Sequence, residues 1–203
     1  ADTEEKQKML AYNMKVIHNG INLDVFNIYD TEEVKSKYQL NGKHILLGVA
    51  SIWSHEKGLD DFIALAEMLN EDERIVLVGI DIIGIRRTEN IHQLAELYAA
   101  ADVFVNFTWQ DNYPTVNLEA IACGTPVVTY RTGGSIEAIT EHTGLIVDQG
   151  DVKGALVAVS KIEKAGKAFY QQPCRNYALE HFKKEDRYAD YLKLYDHRIK
   201  KNQ

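Results

Sequence analysis

The feature that most constrains this chain is a series of short runs that are apolar almost throughout, each followed by a stretch with helical spacing. His44–Ala50, Arg74–Gly79, Asp102–Phe107, Thr125–Tyr130 and Thr143–Val147 are such runs, and Ile82–Ile85 reads as a further short one. A strand with one wet face alternates apolar and polar residues, so a run without alternation is a strand covered on both faces. Between the runs the period changes. Leu59, Phe62, Ile63, Ala66 and Leu69 fall on one helical face, as do Ile91, Leu94 and Tyr98.

Buried strands alternating with helices require a parallel sheet covered on both sides. The predicted fold is an α/β, Rossmann-like, doubly wound parallel sheet with helices at its C-terminal end. Local signals place the boundaries. Asn19-Gly20 is a turn, and Asn90 with Gln93 resembles a capping box. Pro114 suits a first helical position, and Ser135 can cap a short helix. From Asp151 onward the pattern is helical, and Tyr188, Tyr191, Leu192, Tyr195 and Ile199 line one face of a terminal helix. That face is expected to pack on its own domain.

The length of 203 residues suits one domain, at the usual ~100–200 residues per domain, with an appendage. The expected division is 1–14 as the remnant of a preceding segment, 15–180 as the sheet domain and 181–203 as the terminal helix. Two cysteines, Cys123 and Cys174, form no metal-ligand spacing, and Cys123 lies in an apolar run that makes it a core residue. A net charge of −7 gives no general attraction for nucleic acid or an anionic membrane. No run approaches the ~18 apolar residues of a membrane span, and no signal-peptide pattern is visible, so the expected location is cytoplasmic.

Ligands of doubly wound sheets bind at the carboxyl ends of the strands, which directs attention to the loops after Ala50, Gly79, Phe107 and Tyr130. The loop from Thr108 to Glu119 is the most informative. A helix starting at Pro114 leaves the amides of Thr115, Val116 and Asn117 without intrahelical partners, at the positive end of the helix dipole. That is a site for phosphate or sugar oxygens. Asp111 just outside the helix and Glu119 just over a turn inside it flank these donors, and carboxylates accept from vicinal hydroxyls. Periodicity alone favours a plainer reading, in which Asp111 is a loop residue and Glu119 an exposed helix residue.

Asp111 and Glu119 with seven residues between them, followed by Ala120-Ile121-Ala122-Cys123-Gly124-Thr125-Pro126-Val127-Val128, resemble the E-x7-E signature of family-4 retaining GT-B glycosyltransferases. Val16–Ile21 resembles that family's interdomain segment, which usually reads IPNGV. Glu56-Lys57-Gly58 resembles its EKG turn, Gly133–Glu137 its GG-x-x-E and Gly144–Val147 its G-L-L-V strand. Each motif alone is weak, and together in this order they are specific. The resemblance implies the donor-binding, C-terminal half of such an enzyme, transferring sugar from an NDP-sugar with retention of configuration. It implies that Glu119 holds the ribose hydroxyls, Asp111 the donor-sugar hydroxyls, and Lys57 the diphosphate, these three being the candidate catalytic residues. Backbone of Tyr113, Pro114, Thr115 and Val116 would meet sugar and phosphate oxygens. Ser51, Gly79, Ile85 and Arg86 would complete the donor site. No metal or other cofactor is implied. The acceptor, a glycan or lipid-linked molecule of a polysaccharide pathway, would be met by an N-terminal domain outside this chain, peripheral to a membrane. Without that domain the chain is expected to transfer little or no sugar.

The departures are specific. The first acidic residue is Asp111 rather than Glu. The family's Arg about five residues before the Lys has no counterpart in Ala50–Gly58, and Ser51, His55 or an Arg from elsewhere is the candidate substitute. The stretch from Gly79 to Ile85 is about ten residues shorter than the family's connection. Rival readings are another GT-B enzyme, such as a nucleotide-sugar epimerase or a phosphorylase, and a non-catalytic nucleotide-binding module. A dinucleotide-binding domain ranks lowest, because no G-x-G-x-x-G follows any strand.

Overall fold

The computed structural model describes residues 15–80, 85, 88 and 90–201. The apolar runs are the strands of one parallel sheet: β1 (His44–Ile52), β2 (Glu73–Ile80), β3 (Val103–Asn106), β4 (Val127–Tyr130) and β5 (Gly144–Val147). Their spatial order is β2-β1-β3-β4-β5, with Val49 beside Val78, Leu46 beside Val103, Phe104 beside Val127 and Val127 beside Gly144. The central strands are buried on both faces, as their unbroken apolar character demands. Leu46, Leu47, Val103, Val127 and Val128 have no exposed surface, each such side chain contributing about 2 kcal/mol of transfer free energy.

The helices are α1 (Glu32–Lys37), α2 (Leu59–Ala66), α3 (Ile91–Ala100), α4 (Thr115–Ala122), α5 (Val152–Ala165), α6 (Lys167–His181) and α7 (Lys184–Lys201). α2 and α5 pack on each other and on the sheet. α1, α3, α4 and α6 form the second helical layer, with α3 against β1 and α4 against β3 and β4. Asn90 caps α3 by accepting from the Gln93 amide at 2.9 Å, and Asp151 caps α5 by accepting from the Gly154 amide at 2.8 Å. Arg175 of α6 is buried among backbone carbonyls. Its Nη1 donates to Phe26 O and Ala122 O at 2.6 and 3.1 Å, and its Nη2 to Leu23 O at 3.0 Å. One side chain thus ties the segment before α1 to the end of α4.

Three expectations are corrected. Pro114 caps α4 rather than opening it, with Thr115 the first helical residue. Its fixed φ of −68° suits either position, and a ψ of 115° puts it outside the helix. Ser135 caps nothing: it sits inside a 3₁₀ turn, Gly133–Ile136, whose preceding residue is Thr132. The apolar face of α7 does not pack on its own domain, since Tyr188, Tyr191, Leu192 and Tyr195 are 62%, 44%, 66% and 62% exposed. A helical apolar stripe says that a face is apolar and not what covers it. The Ile199 side chain, residues 1–14 and Ile82–Gly84 lie outside what is described, and Ile85, the described residue of that run, pairs in parallel with Val78.

Candidate functional site

Strand order reverses between β1 and β3, so the crevice at their carboxyl ends is the place where this topology leaves room for a ligand. A cavity of about 290 Å³ lies there. Ala50 and Ser51 of β1, Gly79 of β2, and Val116 and Glu119 of α4 line it, together with Thr88 and Leu94. Its walls are mostly apolar, with few polar groups and one carboxylate, the general make-up of a small-molecule site.

Glu119 is held by a residue that sequence reasoning placed only on a helix face. The hydroxyl of Tyr98, on α3, donates to Glu119 Oε2 at 2.9 Å. Tyr98 is wholly buried, and a buried tyrosine hydroxyl needs a partner; that requirement was the available signal, though it could not name Glu119. Burial pushes the Glu119 carboxyl up to about 7, against the opposing pull of the Tyr98 hydrogen bond.

The loop from β3 to α4 carries the second group of candidates. At the start of α4 the Asn117 amide donates back to Pro114 O at 3.2 Å, so Asn117 is not a free donor as expected. The amides of Thr115 and Val116 have no acceptor among the described residues. They stand at the positive end of the helix. Asp111 Oδ1 accepts from the Tyr113 amide at 3.1 Å, which curls the loop into an Asx turn and commits that amide. The other oxygen, Oδ2, lies 3.7 Å from Lys57 Nζ.

Lys57 reaches Asp111 because the turn after β1 is fastened to the end of β3. Gly58 has φ +76°, and a Cβ there would stand 2.3 Å from Phe107 Cβ, so a larger residue would push the lysine turn away. The Trp109 amide donates to Glu56 O at 2.9 Å, and its indole Nε1 donates to Asp61 Oδ2 at 2.8 Å. His55 is a surface residue bonded to Asp60 at 2.9 Å and stacked on Trp109.

A buried polar network supports the loop from below. Asn106 Nδ2 donates to Asn117 Oδ1 at 2.8 Å, and Asn117 Nδ2 donates to Ser135 O at 3.1 Å. Asn106 Oδ1 accepts from the Thr108 amide at 3.0 Å, and Thr132 Oγ1 donates to Thr108 O at 3.1 Å. The two glycines after Thr132 let the 3₁₀ turn press on the loop backbone: a Cβ at Gly133 would meet Asp111 O at 2.0 Å, and one at Gly134 would meet Asn112 O at 1.8 Å.

Ser51, Gly79, Val116 and Glu119 therefore share one cavity, and Lys57, Asp111, Tyr113, Pro114 and Thr115 form the adjoining loop and helix end. Ile85 is not brought in. Its amide and carbonyl bond Leu77 O and Gly79 N, and its side chain lines a larger cavity of about 510 Å³ on the outer edge of β2. That cavity holds neither candidate carboxylate and is the less relevant of the two despite its size. Arg86 lies outside the described residues. Cys123 and Cys174 are fully buried, with thiols pushed up to about 12 by burial, which suppresses the reactive thiolate at both.

A family model described as "Glycosyl transferases group 1" matches residues 43–164, more than half of the chain. An N-acetyl-alpha-D-glucosaminyl L-malate synthase of Bacillus anthracis is 26% identical over 160 residues, covering 70% of this chain and 42% of its own length. A crystal structure of Anabaena Alr3699/HepE in complex with UDP superposes with a TM-score of 0.78 at 17% identity, over 90% of this chain and 57% of that one. The same protein in complex with UDP-glucose gives 0.75 at 18% identity, over 88% and 57%. At these identities the likeness to solved structures is one of fold. The chain spans less than half the length of the curated relatives it matches.

Proposed function

The chain belongs to the group 1 glycosyltransferases, and we propose that it forms the donor half of such an enzyme, binding an NDP-sugar whose sugar is transferred with retention of configuration. The observation that carries this reading is the switch-point cavity walled by Glu119 and flanked by the unsatisfied amides of Thr115 and Val116. The nucleoside occupies the cavity, with its ribose hydroxyls donating to Glu119 and its base against backbone at Ser51 and Gly79. The diphosphate lies across the start of α4. As the bond from the anomeric carbon to the leaving phosphate oxygen lengthens, negative charge grows on the diphosphate. The two free amides, the helix dipole and Lys57 stabilise that charge. Asp111, released from Lys57 by the incoming phosphates, accepts from hydroxyls of the sugar.

The UDP and UDP-glucose complexes of the structurally similar Anabaena protein favour a uridine nucleotide. The division at about residues 15 and 180, the absence of a metal, a glycan or lipid-linked acceptor held by a further domain, and a cytoplasmic site of action beside a membrane belong to the same reading. No helix among the described residues is long and apolar enough to cross a membrane.

A thermal-shift panel of UDP-, GDP- and ADP-glucose with NAD and FMN as controls tests the ligand class. A ligand that binds only the folded chain raises its melting temperature with concentration. Stabilisation by UDP-glucose is expected. Stabilisation by NAD or FMN alone overturns the reading.

A further inference from the structure

His18 stands where the resembled interdomain segment usually carries proline, and its side chain reaches the donor loop. Its ring lies over that of Tyr113, with centroids 4.4 Å apart and planes at 18°. Its Nε2 donates to Glu137 Oε2 at 2.7 Å. Glu137 follows the Gly133–Ile136 turn, which presses on the backbone of Asp111 and Asn112. The Gly134 amide also donates to Asp111 O at 3.2 Å. The donor loop thus touches both the glycine turn and His18, and Glu137 links the two. The segment carrying His18 is itself anchored: Ile21 N donates to Phe182 O at 2.9 Å and Lys184 N to Ile21 O at 3.3 Å, at the junction of α6 and α7.

We propose that His18 is a positioning residue for donor binding, holding the Asp111–Pro114 loop in shape through its stack on Tyr113 and its bond to Glu137. The inference rests on the donor-site reading for its consequence and not for its geometry. The ring fixes the tyrosine, the tyrosine backbone fixes the Asx turn at Asp111, and the turn sets where the Thr115 and Val116 amides point.

The test uses the 203-residue chain with His18→Ala, His18→Phe, Glu137→Gln and the double variant His18→Phe/Glu137→Gln. Amide hydrogen exchange without ligand at Tyr113, Asn117 and Gly134, whose amides are hydrogen-bonded in and onto this loop, reads the contact directly. His18→Ala is expected to speed exchange there about ten-fold, with His18→Phe partly restoring protection because the stack survives. Titration with UDP-glucose reads the consequence. His18→Ala is expected to weaken binding about five-fold, and the two changes in the double variant are expected to be less than additive. Unchanged exchange in His18→Ala, with its melting temperature retained, overturns the proposal. So does wild-type affinity for UDP-glucose across all the variants. If wild type and Glu119→Ala alike bind no UDP-glucose, the donor reading falls, and exchange still decides whether His18 holds the loop.

Discussion

Glu119 is a carboxylate in a mostly apolar cavity, and its environment makes opposing demands on it. Burial favours the neutral acid, while the Tyr98 hydroxyl favours the anion, and burial dominates, with a folded pKa of about 7. A carboxyl whose pKa is raised on folding binds more protons folded than unfolded between its unfolded value near 4.5 and 7. Its contribution to stability is therefore greatest below that window and falls as the pH rises through it. Replacing it by glutamine is expected to remove about 2 kcal/mol of this pH dependence between pH 5 and pH 8, read from melts of both proteins. Glu163 is raised the same way, to about 7, so the difference between wild type and Glu119→Gln isolates the site residue. Tyr98→Phe removes a donor from a buried carboxylate. It is expected to raise the Glu119 pKa further and to weaken UDP-glucose near neutral pH, checked by titration against pH. The sequence signals covered half of this pair. Glu119 was legible as a helix carboxylate in a motif, whereas Tyr98 was legible only as part of a helix face, because a separation of 21 positions along the chain is a tertiary distance that no local period encodes.

At the scale of elements, what was legible followed from burial on both faces. Every strand of the sheet was readable as an apolar run, and Asn90 as a cap. What was not legible depended on contacts between elements. Nothing local sets Pro114 at the cap rather than in the first turn of α4, and the buried bonds of Asn106, Asn117 and Ser135 join three segments distant in sequence. Arg175 is the same kind of feature. Its charge is satisfied by three carbonyls from two segments, and Arg175→Met leaves those acceptors buried and unpaired. A loss of about 3 kcal/mol in unfolding free energy is expected from denaturant melts. Asn117→Ala is expected to cost about 2 kcal/mol by the same assay, since it strands Asn106 Nδ2 and Ser135 O together.

For the whole molecule, the exposed face of α7 has a direct consequence. Changing Tyr188, Tyr191 and Leu192 together to serine is expected to alter the stability of this chain by less than about 0.5 kcal/mol per site, because none of them is packed here. A larger loss in thermal melts would show that the face is covered in solution. The central claim joins the cavity at the switch point to the end of α4 as a single donor site, and calorimetric titration of UDP-glucose into wild type and Glu119→Ala at pH 8 tests it most directly. The account predicts measurable binding to the wild-type chain and a loss of at least about ten-fold in the variant, the share of a charge-assisted bond to ribose. Equal affinity in the two proteins would contradict it, because the nucleotide would then lie somewhere other than the cavity that Glu119 lines.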